Sequence, residues 1–327
     1  MSKKIKFGII GCGLMGQEFA SAAARWCHLT GDVPTPEIVG VCDFNDAAKA
    51  WFTDHFDTVK YVTSDYKELL DKEDIESEDS YSLHTEYSYG KRNLGSSILQ
   101  RYPTLREANK AGVPQLWKSE EWAKEFAAFV LELTKDKKTP QIVEIHPPFN
   151  DYSDIDHFVE CYKVFEKEIK QVYPNTNIFI ENRSGAVYRG GRFVVSKADE
   201  IVALCEAIEK YNLKLGIVLD FPQLLTAERL DTLKFNSEKY QVAIEKIHQY
   251  QHLIKGIHIW GKKKNPKGRW IAHCGTLDTY FGGNEESKKI FVDGIARICD
   301  DGMRRFLVPE VNSGAEDLSS IIEDIIG

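Results

Sequence analysis

The feature that most constrains this chain is a rhythm of eight strand-length apolar runs, each followed by a longer segment of helical periodicity or loop: Lys6 to Ile10, Glu37 to Cys42, Tyr81 to Tyr87, Gln141 to Ile145, Asn177 to Glu181, Leu215 to Leu219, Ile254 to Ile259 and Arg305 to Pro309. Parallel strands need a long crossover between them, and a strand covered on both faces reads as a short continuous apolar run. The alternation therefore predicts an α/β chain built on parallel sheet. Eight strands with helices between them favour closure into a (β/α)8 barrel, the alternative being a small separate α/β fragment followed by an incomplete barrel.

The helical signal is clearest where Ile155, Phe158, Val159, Tyr162, Phe165, Ile169 and Val172 recur at helical spacing, which places one apolar stripe against the sheet. Ser196 with Asp199 predicts a capped start for the next helix. Gly90 to Lys118 reads as a long loop with a short helix inside. Asp74 to Ser80, polar and acidic, marks a boundary. With 327 residues, 43% hydrophobic and 28% charged, the chain has enough apolar material for one large barrel or two modest domains. No stretch reaches the ~20 apolar residues of a membrane helix, and the N-terminus lacks a signal-peptide pattern, so a cytoplasmic protein is expected. Seven scattered cysteines with no C-x-x-C spacing suggest reduced thiols rather than a disulfide framework or thiolate zinc site. A formal charge of −8 argues against a nucleic-acid partner. Lys262, Lys263 and Lys264 read as a solvated loop, and a homo-oligomer stays open.

Gly11, Gly13 and Gly16 form G-x-G-x-x-G directly after the first strand, and Asp43 closes the second. Glycines there allow a tight turn and close approach to a pyrophosphate, while the acid accepts ribose hydroxyls. The segments IKFGIIGCGLMGQEFASAAARW, EIVGVCDFN and VTSDYKELL resemble the opening of the Gfo/Idh/MocA family of NAD(P)-dependent oxidoreductases over roughly residues 4 to 76. That resemblance implies a Rossmann-like βαβα segment and a nicotinamide site at Gly11, Gly13, Gly16 and Asp43. The family's Glu-Lys-Pro motif, whose lysine takes part in catalysis, is absent from the chain. Residues 1–76 are therefore expected to supply barrel strands one and two, and residues 77–327 strands three to eight.

From Tyr81 onward six consecutive strands each deliver an imidazole or carboxylate near the C-terminal end: His84, His146, Glu181, Asp220, His258 and Glu310. In a barrel those ends converge on one mouth, where such enzymes keep their chemistry. Glu181, Asp220, His258 and Glu310 together offer a mixed oxygen and imidazole site suited to Mn²⁺, Mg²⁺, Co²⁺ or Zn²⁺. IENRSG, VLDF, GIHIW and VPEV resemble the xylose-isomerase-like barrel superfamily over about residues 80 to 315, which includes sugar-phosphate isomerases, ketose epimerases and apurinic endonucleases. The resemblance implies that those four residues hold a divalent metal, with Glu181 and Glu310 doubling as acid and base in isomerising or epimerising a small carbohydrate. His84 and His146 fall where the endonucleases place ligands of an additional zinc, and read as substrate or second-metal residues or as packing; His273 is a stray candidate for a third. Gln223 stands where epimerases often carry histidine, and Gly261 and lysines replace their usual Asp and Arg. Arg183 and Arg189 follow Glu181 and suit a phosphate or carboxylate, while Lys118, Trp117 and Trp260 offer a basic group and aromatic walls for a sugar ring, buried packing of the tryptophans in an interface being the alternative. The competing readings are an NAD(P)-dependent oxidoreductase, an apurinic-type endonuclease and a catalytically inert hybrid barrel.

Overall fold

In the computed structural model the eight anticipated strands all form, but they are divided between two sheets. The structure describes residues 4–13, 16–17, 20–21, 35–70, 72, 81–85, 101–110, 115–135, 138–188 and 190–326. The acidic seam at 74–80, Arg189 and much of the 90–118 segment lie outside them. The chain divides into two compact units, Met1–Ser80 and Tyr81–Gly327.

In the first unit β1 (Lys4–Ile10) pairs in parallel with β2 (Thr35–Cys42), and β2 with β3 (Tyr61–Thr63). Helix α1 (Asp46–His55) follows β2, capped by Asn45, and α2 (Tyr66–Leu70) follows β3. Ile9, Cys12, Ala20, Ile38, Val41 and Phe52 form a separate small core. The expected recruitment of the first two strands into a closed (β/α)8 barrel is corrected here. Among the described residues they bond to each other and to β3, and no barrel of eight closes. An apolar run reports that a strand is covered but not which strand it pairs with, and β3 was too short to register as a run at all.

The second unit holds β4 (Ser82–His84), α3 (Pro103–Lys110), α4 (Glu120–Thr134), β5 (Ile142–Ile145), α5 (Ile155–Val172), β6 (Asn177–Glu181), α6 (Ala198–Tyr211), β7 (Leu215–Asp220), α7 (Phe221–Ala227), α8 (Ser237–His248) and β8 (Ile254–Ile259). A hairpin of β9 (Lys262–Lys264) and β10 (Trp270–Ala272) comes next, then α9 (Leu277–Tyr280), α10 (Glu285–Ile298), β11 (Phe306–Pro309) and α11 (Ala315–Ile326). The three lysines are thus a short strand, paired with Trp270 to Ala272, rather than a free loop. Six strands form one parallel sheet in the order β11-β8-β7-β6-β5-β4.

That sheet is strongly curled. His84 on β4 lies four strands from His258 on β8, a separation of about 19 Å in a flat sheet at the usual strand spacing. Their ring centroids are 6.1 Å apart. The six strands therefore form a half-barrel with a concave inner face. Side-chain alternation sorts the strand residues between its two surfaces. Val143, Ile145, Ile178, Ile180, Ile217, Leu219, Ile257 and Ile259 join the large core with the helices. The other parity faces inward: Ile142, Phe179 and Val218 pack together as an apolar floor, and Glu144, Glu181, Asp220 and His258 stand nearer the C-terminal ends.

The helical layer follows the sequence pattern. Phe158, Val159, Cys161, Tyr162, Phe165 and Ile169 of α5 are buried, while Val172 at the helix end is exposed, and Asp154 caps the helix by accepting the His157 N–H. At α6 the capping carboxylate is Glu200, which accepts the N–H groups of Ser196 and Lys197, rather than the expected pairing of Ser196 with Asp199. Trp117 is fully buried against Trp122, Phe126, Phe158 and Phe165, so it is a core residue and not a wall for a sugar. Phe165 sits at the middle of this cluster, with ring centroids 5.4 Å from Trp117 and 5.2 Å from Phe126. Phe165→Ala should lower the unfolding free energy by about 3–5 kcal/mol in urea denaturation; a loss below about 1 kcal/mol would contradict the packing described.

Candidate metal centre

Parallel pairing in register brings the strand ends together. Asp220 lies opposite His258, Glu181 opposite Val218, and His84 opposite Glu144. Glu310 follows β11 directly, its N–H bonded to the Ile259 carbonyl on β8. One ligand atom from each of Glu181, Asp220, His258 and Glu310 lies within 4.8 Å of the others, and the same holds for His84, His146 and Glu181. Glu181 belongs to both groups.

The contacts are dense. His258 Nδ1 lies 3.2 Å from Glu310 Oε1 and 3.5 Å from Glu181 Oε1, and its Nε2 lies 3.3 Å from Glu144 Oε2. Glu181 Oε2 accepts from Arg183 at 2.7 Å and lies 3.2 Å from His146 Nδ1, and its Oε1 accepts from the Gln223 amide at 3.1 Å. Asp220 accepts the Gln223 N–H through Oδ1 and the Trp260 indole N–H through Oδ2, at 2.8 and 2.9 Å. The Asn182 side chain clamps the Asp220 backbone, accepting its N–H at 2.7 Å and donating to its carbonyl at 3.1 Å. His84 Nε2 is 3.0 Å from His146 Nε2, and the Trp117 indole donates to the His146 carbonyl at 2.6 Å. His273, in the left-handed region at φ 58°, lies 3.2 Å from Glu310 Oε2 and packs on Trp260.

Charges this close and this dry perturb one another. Burial opposes ionisation of Glu181, yet Arg183, His146 and His258 outweigh it and hold the carboxyl well below its usual range. Burial and the neighbouring charges of Glu181 and Glu310 push Asp220 well above its own. Burial works against the charged form of His258, but Glu144, Glu181 and Glu310 raise it to about 12. Burial likewise opposes the charge of Glu310, which His258 and His273 nonetheless hold at about 2. His146 is lowered by burial.

The donor set fits a divalent cation. Two ligands at the usual bond lengths of ~2.0–2.3 Å stand no more than ~4.6 Å apart, close to the spacing seen here. His258 Nδ1 is buried and has no aligned hydrogen bond although two carboxylate oxygens lie within 3.5 Å. A buried nitrogen without an aligned partner, flanked by two carboxylate oxygens, is open to a shared cation. With Asp220 driven toward its neutral form, the carboxylates of Glu144, Glu181 and Glu310 converge on one guanidinium, Arg183, and on imidazoles, an oxygen and nitrogen donor set of the kind divalent cations take.

The structure therefore gathers five of the residues singled out in the sequence beside His84, which is half exposed. Arg183 is directed at Glu181 rather than left open for a substrate phosphate. Trp260 reaches the cluster by its indole N–H to Asp220. Glu144 escaped sequence reasoning, although it shares strand parity with His146 and interrupts an apolar run. In the first unit Gly11 has φ 94°, and a Cβ on Gly16 would sit 2.3 Å from the Gly11 carbonyl oxygen, so both positions require glycine. Asp43 accepts the Cys12 and Asn45 N–H groups at 2.7 and 2.8 Å, which holds its carboxyl below the usual range.

No protein-family model matches the chain, and no curated protein matches it; the resemblance of residues 4 to 76 to the oxidoreductases thus gains no support. Among solved structures, the crystal structure of AsfvAP:AG is 13% identical, with a TM-score of 0.43 over 74% of this chain and 82% of that one. The probable 3-DHS dehydratase AsbF of Bacillus anthracis, involved in petrobactin synthesis, is 10% identical, with a TM-score of 0.34 over 99% of this chain and 97% of that one. Likenesses this loose transfer neither a site nor an activity.

Purified protein should bind a divalent metal stoichiometrically by elemental analysis, and the Glu181→Gln, Glu310→Gln double variant should lose it. The surrounding carboxylates strengthen the hold of His258 on its proton, and a ligand nitrogen must give its proton up, so apparent affinity should rise with pH in chelator competition. Affinity flat from about pH 5 to 8 would contradict this site.

Proposed function

We propose that this chain is a metal-dependent isomerase or epimerase of a small sugar or sugar phosphate, with Glu181, Asp220, His258 and Glu310 holding Mn²⁺, Mg²⁺, Co²⁺ or Zn²⁺. The observation that carries the reading is the convergence of these four ligand atoms around a buried His258 nitrogen with no aligned partner. When bound, the cation would act as a Lewis acid toward a carbonyl and its neighbouring hydroxyl and so acidify the adjacent C–H.

The protein's own groups divide the remaining work. Glu310 is the tetrad member that solvent reaches, its side chain 23% exposed against 1% for Glu181 and His258. A substrate entering from the C-terminal ends of the strands meets Glu310 first, and we assign it the proton taken from carbon. Glu181, fixed by Arg183, His146 and Gln223, lies deeper and is the second carboxylate; it accepts a proton from His146 Nδ1, 3.2 Å away, and delivers it at the opposite face or the next carbon, while Glu310 releases its own to solvent and His146 is reprotonated through the exposed His84. Both carboxyls are held low, so the two roles are divided by access and position rather than by opposite pKa shifts. His273 and Trp260 form one wall of the site beside Glu310, and the Trp260 indole keeps Asp220 oriented. His84, the exposed imidazole of the second cluster, stands as a substrate or second-metal residue.

Substrate C–H exchange in deuterium oxide, followed by proton NMR across ketoses and sugar phosphates, tests this directly. Metal-loaded protein should exchange one C–H of its substrate, and Glu310→Gln at saturating metal should slow exchange about 10²–10⁴-fold. Loaded wild-type protein that exchanges none of these compounds would sink the proposal.

The glycine geometry of the first unit supports a second reading, an NAD(P)-dependent oxidoreductase of the Gfo/Idh/MocA type. Gly11 adopts a positive φ and Gly16 has no room for a Cβ against the Gly11 carbonyl oxygen. Against it, each Asp43 oxygen already accepts a backbone N–H, which leaves less of the carboxylate for a ribose. Titration with NADH should show quenching or enhanced nicotinamide fluorescence if the turn receives a dinucleotide, and Gly11→Ala should abolish the signal. No change with NADH or NADPH would remove the reading.

A further inference from the structure

We infer that Glu144 is a positioning residue that sets the orientation of two histidines at once and thereby ties the two ligand clusters into one unit. The inference rests on the metal-centre reading given above. Glu144 lies on β5 with its side chain on the inner face, between the apolar floor of Ile142, Phe179 and Val218 and the imidazole of His146. It is 4% exposed. Its Oε1 stands 3.1 Å from His84 Nδ1 and its Oε2 3.3 Å from His258 Nε2. Among the described residues these two imidazoles are its polar side-chain contacts.

In each contact Glu144 takes the ring nitrogen that the ligand cluster does not use. His84 presents its other nitrogen, Nε2, to His146 at 3.0 Å. His258 presents Nδ1 to Glu181 and Glu310. An imidazole that donates one N–H to a carboxylate offers the other nitrogen as a lone pair, and such an outer carboxylate fixes both the tautomer and the ring plane of a ligand. A carboxylate buried this deeply is expensive unless it is compensated, and one imidazole nitrogen stands within 3.3 Å of each oxygen, Oε1 without an aligned hydrogen bond. The strands concerned are β4, β5 and β8, and Glu144 is the side chain that spans from one end of the curled sheet toward the other.

Glu144→Gln separates this role from simple packing. Glutamine has the same shape, but one end of its amide accepts and the other donates. It can satisfy one histidine in the required tautomer while offering an N–H to the second, which turns that ring's lone pair away from its cluster. The test is Co²⁺ titration of the full-length, metal-free protein in competition with a chelator, read by affinity and by the d–d absorption bands. E144Q should bind Co²⁺ about 10–100-fold more weakly than wild type, with altered bands. Val143→Ala, on the opposite face of the same strand, should lose stability and keep both readouts, which a merely structural role for Glu144 would not distinguish. E144Q with wild-type affinity and bands overturns the inference alone. Wild-type protein that takes up no Co²⁺ overturns the metal-centre reading and the inference with it. Should E144Q not fold, Glu144→Asp carries the same comparison, since it keeps two acceptors but withdraws them by a methylene: weakened Co²⁺ binding supports the role, and unchanged binding overturns it.

Discussion

The charged strand ends of the second unit converge on one buried imidazole. His258 is enclosed by oxygens of Glu144, Glu181 and Glu310 at 3.2 to 3.5 Å, inside a sheet whose other surface is wholly apolar. Carboxylates crowded into so dry a space repel one another and forfeit hydration, a penalty of several kcal/mol per ion. The protein offsets it with the Arg183 guanidinium, with N–H donors from Gln223 and Trp260, and by raising Asp220 toward its neutral form. The buried His258 Nδ1 that these leave without an aligned hydrogen bond is the feature on which the proposed cation site rests.

The curl of the sheet is what makes this crowding possible. In a flat sheet β5 and β8 would stand about 14 Å apart, too far for Glu144 to meet His258. Wrapped into a half-barrel, six strands direct one parity of side chains inward, apolar at the base and acidic at the C-terminal ends. The outer parity is pinned by aromatic-rich helices, so the inner residues are held on rigid strands rather than on loops. The same geometry grades access: Glu181 and His258 are sealed, while Glu310, supplied by the last strand of the sheet, remains within reach of a ligand.

The first unit depends on a different constraint. Its turn after β1 closes on itself: Gly11 bonds the Cys42 carbonyl, Gly16 packs against the Gly11 carbonyl, and Asp43 receives the Cys12 amide. These are backbone requirements, and they account for Gly11 and Gly16 whether or not a phosphate enters the turn, while nothing around Gly13 demands glycine. A fingerprint defined by glycines thus carries conformational information first and ligand information second.

Much was legible in the sequence for a simple reason: strand-length apolar runs and a polar residue at each run's end are local properties. They fixed the positions of the eight strands and pointed to Glu181, Asp220, His258 and Glu310 as a group. Pairing is not local, and so the destination of β1 and β2 could not be read; β3, with three residues, left no periodic trace. Nor could the sequence show that Arg183 turns back to Glu181, that Trp117 is buried in the core while Trp260 serves Asp220, or that Glu144 looks inward at two histidines. By itself the sequence determined which residues lie on which elements and at which end, because that follows from chain period and residue chemistry. The tertiary structure alone decided which sheet each strand joined and which charges met, because curling a sheet brings together residues whose separation along the chain says nothing of their distance in space.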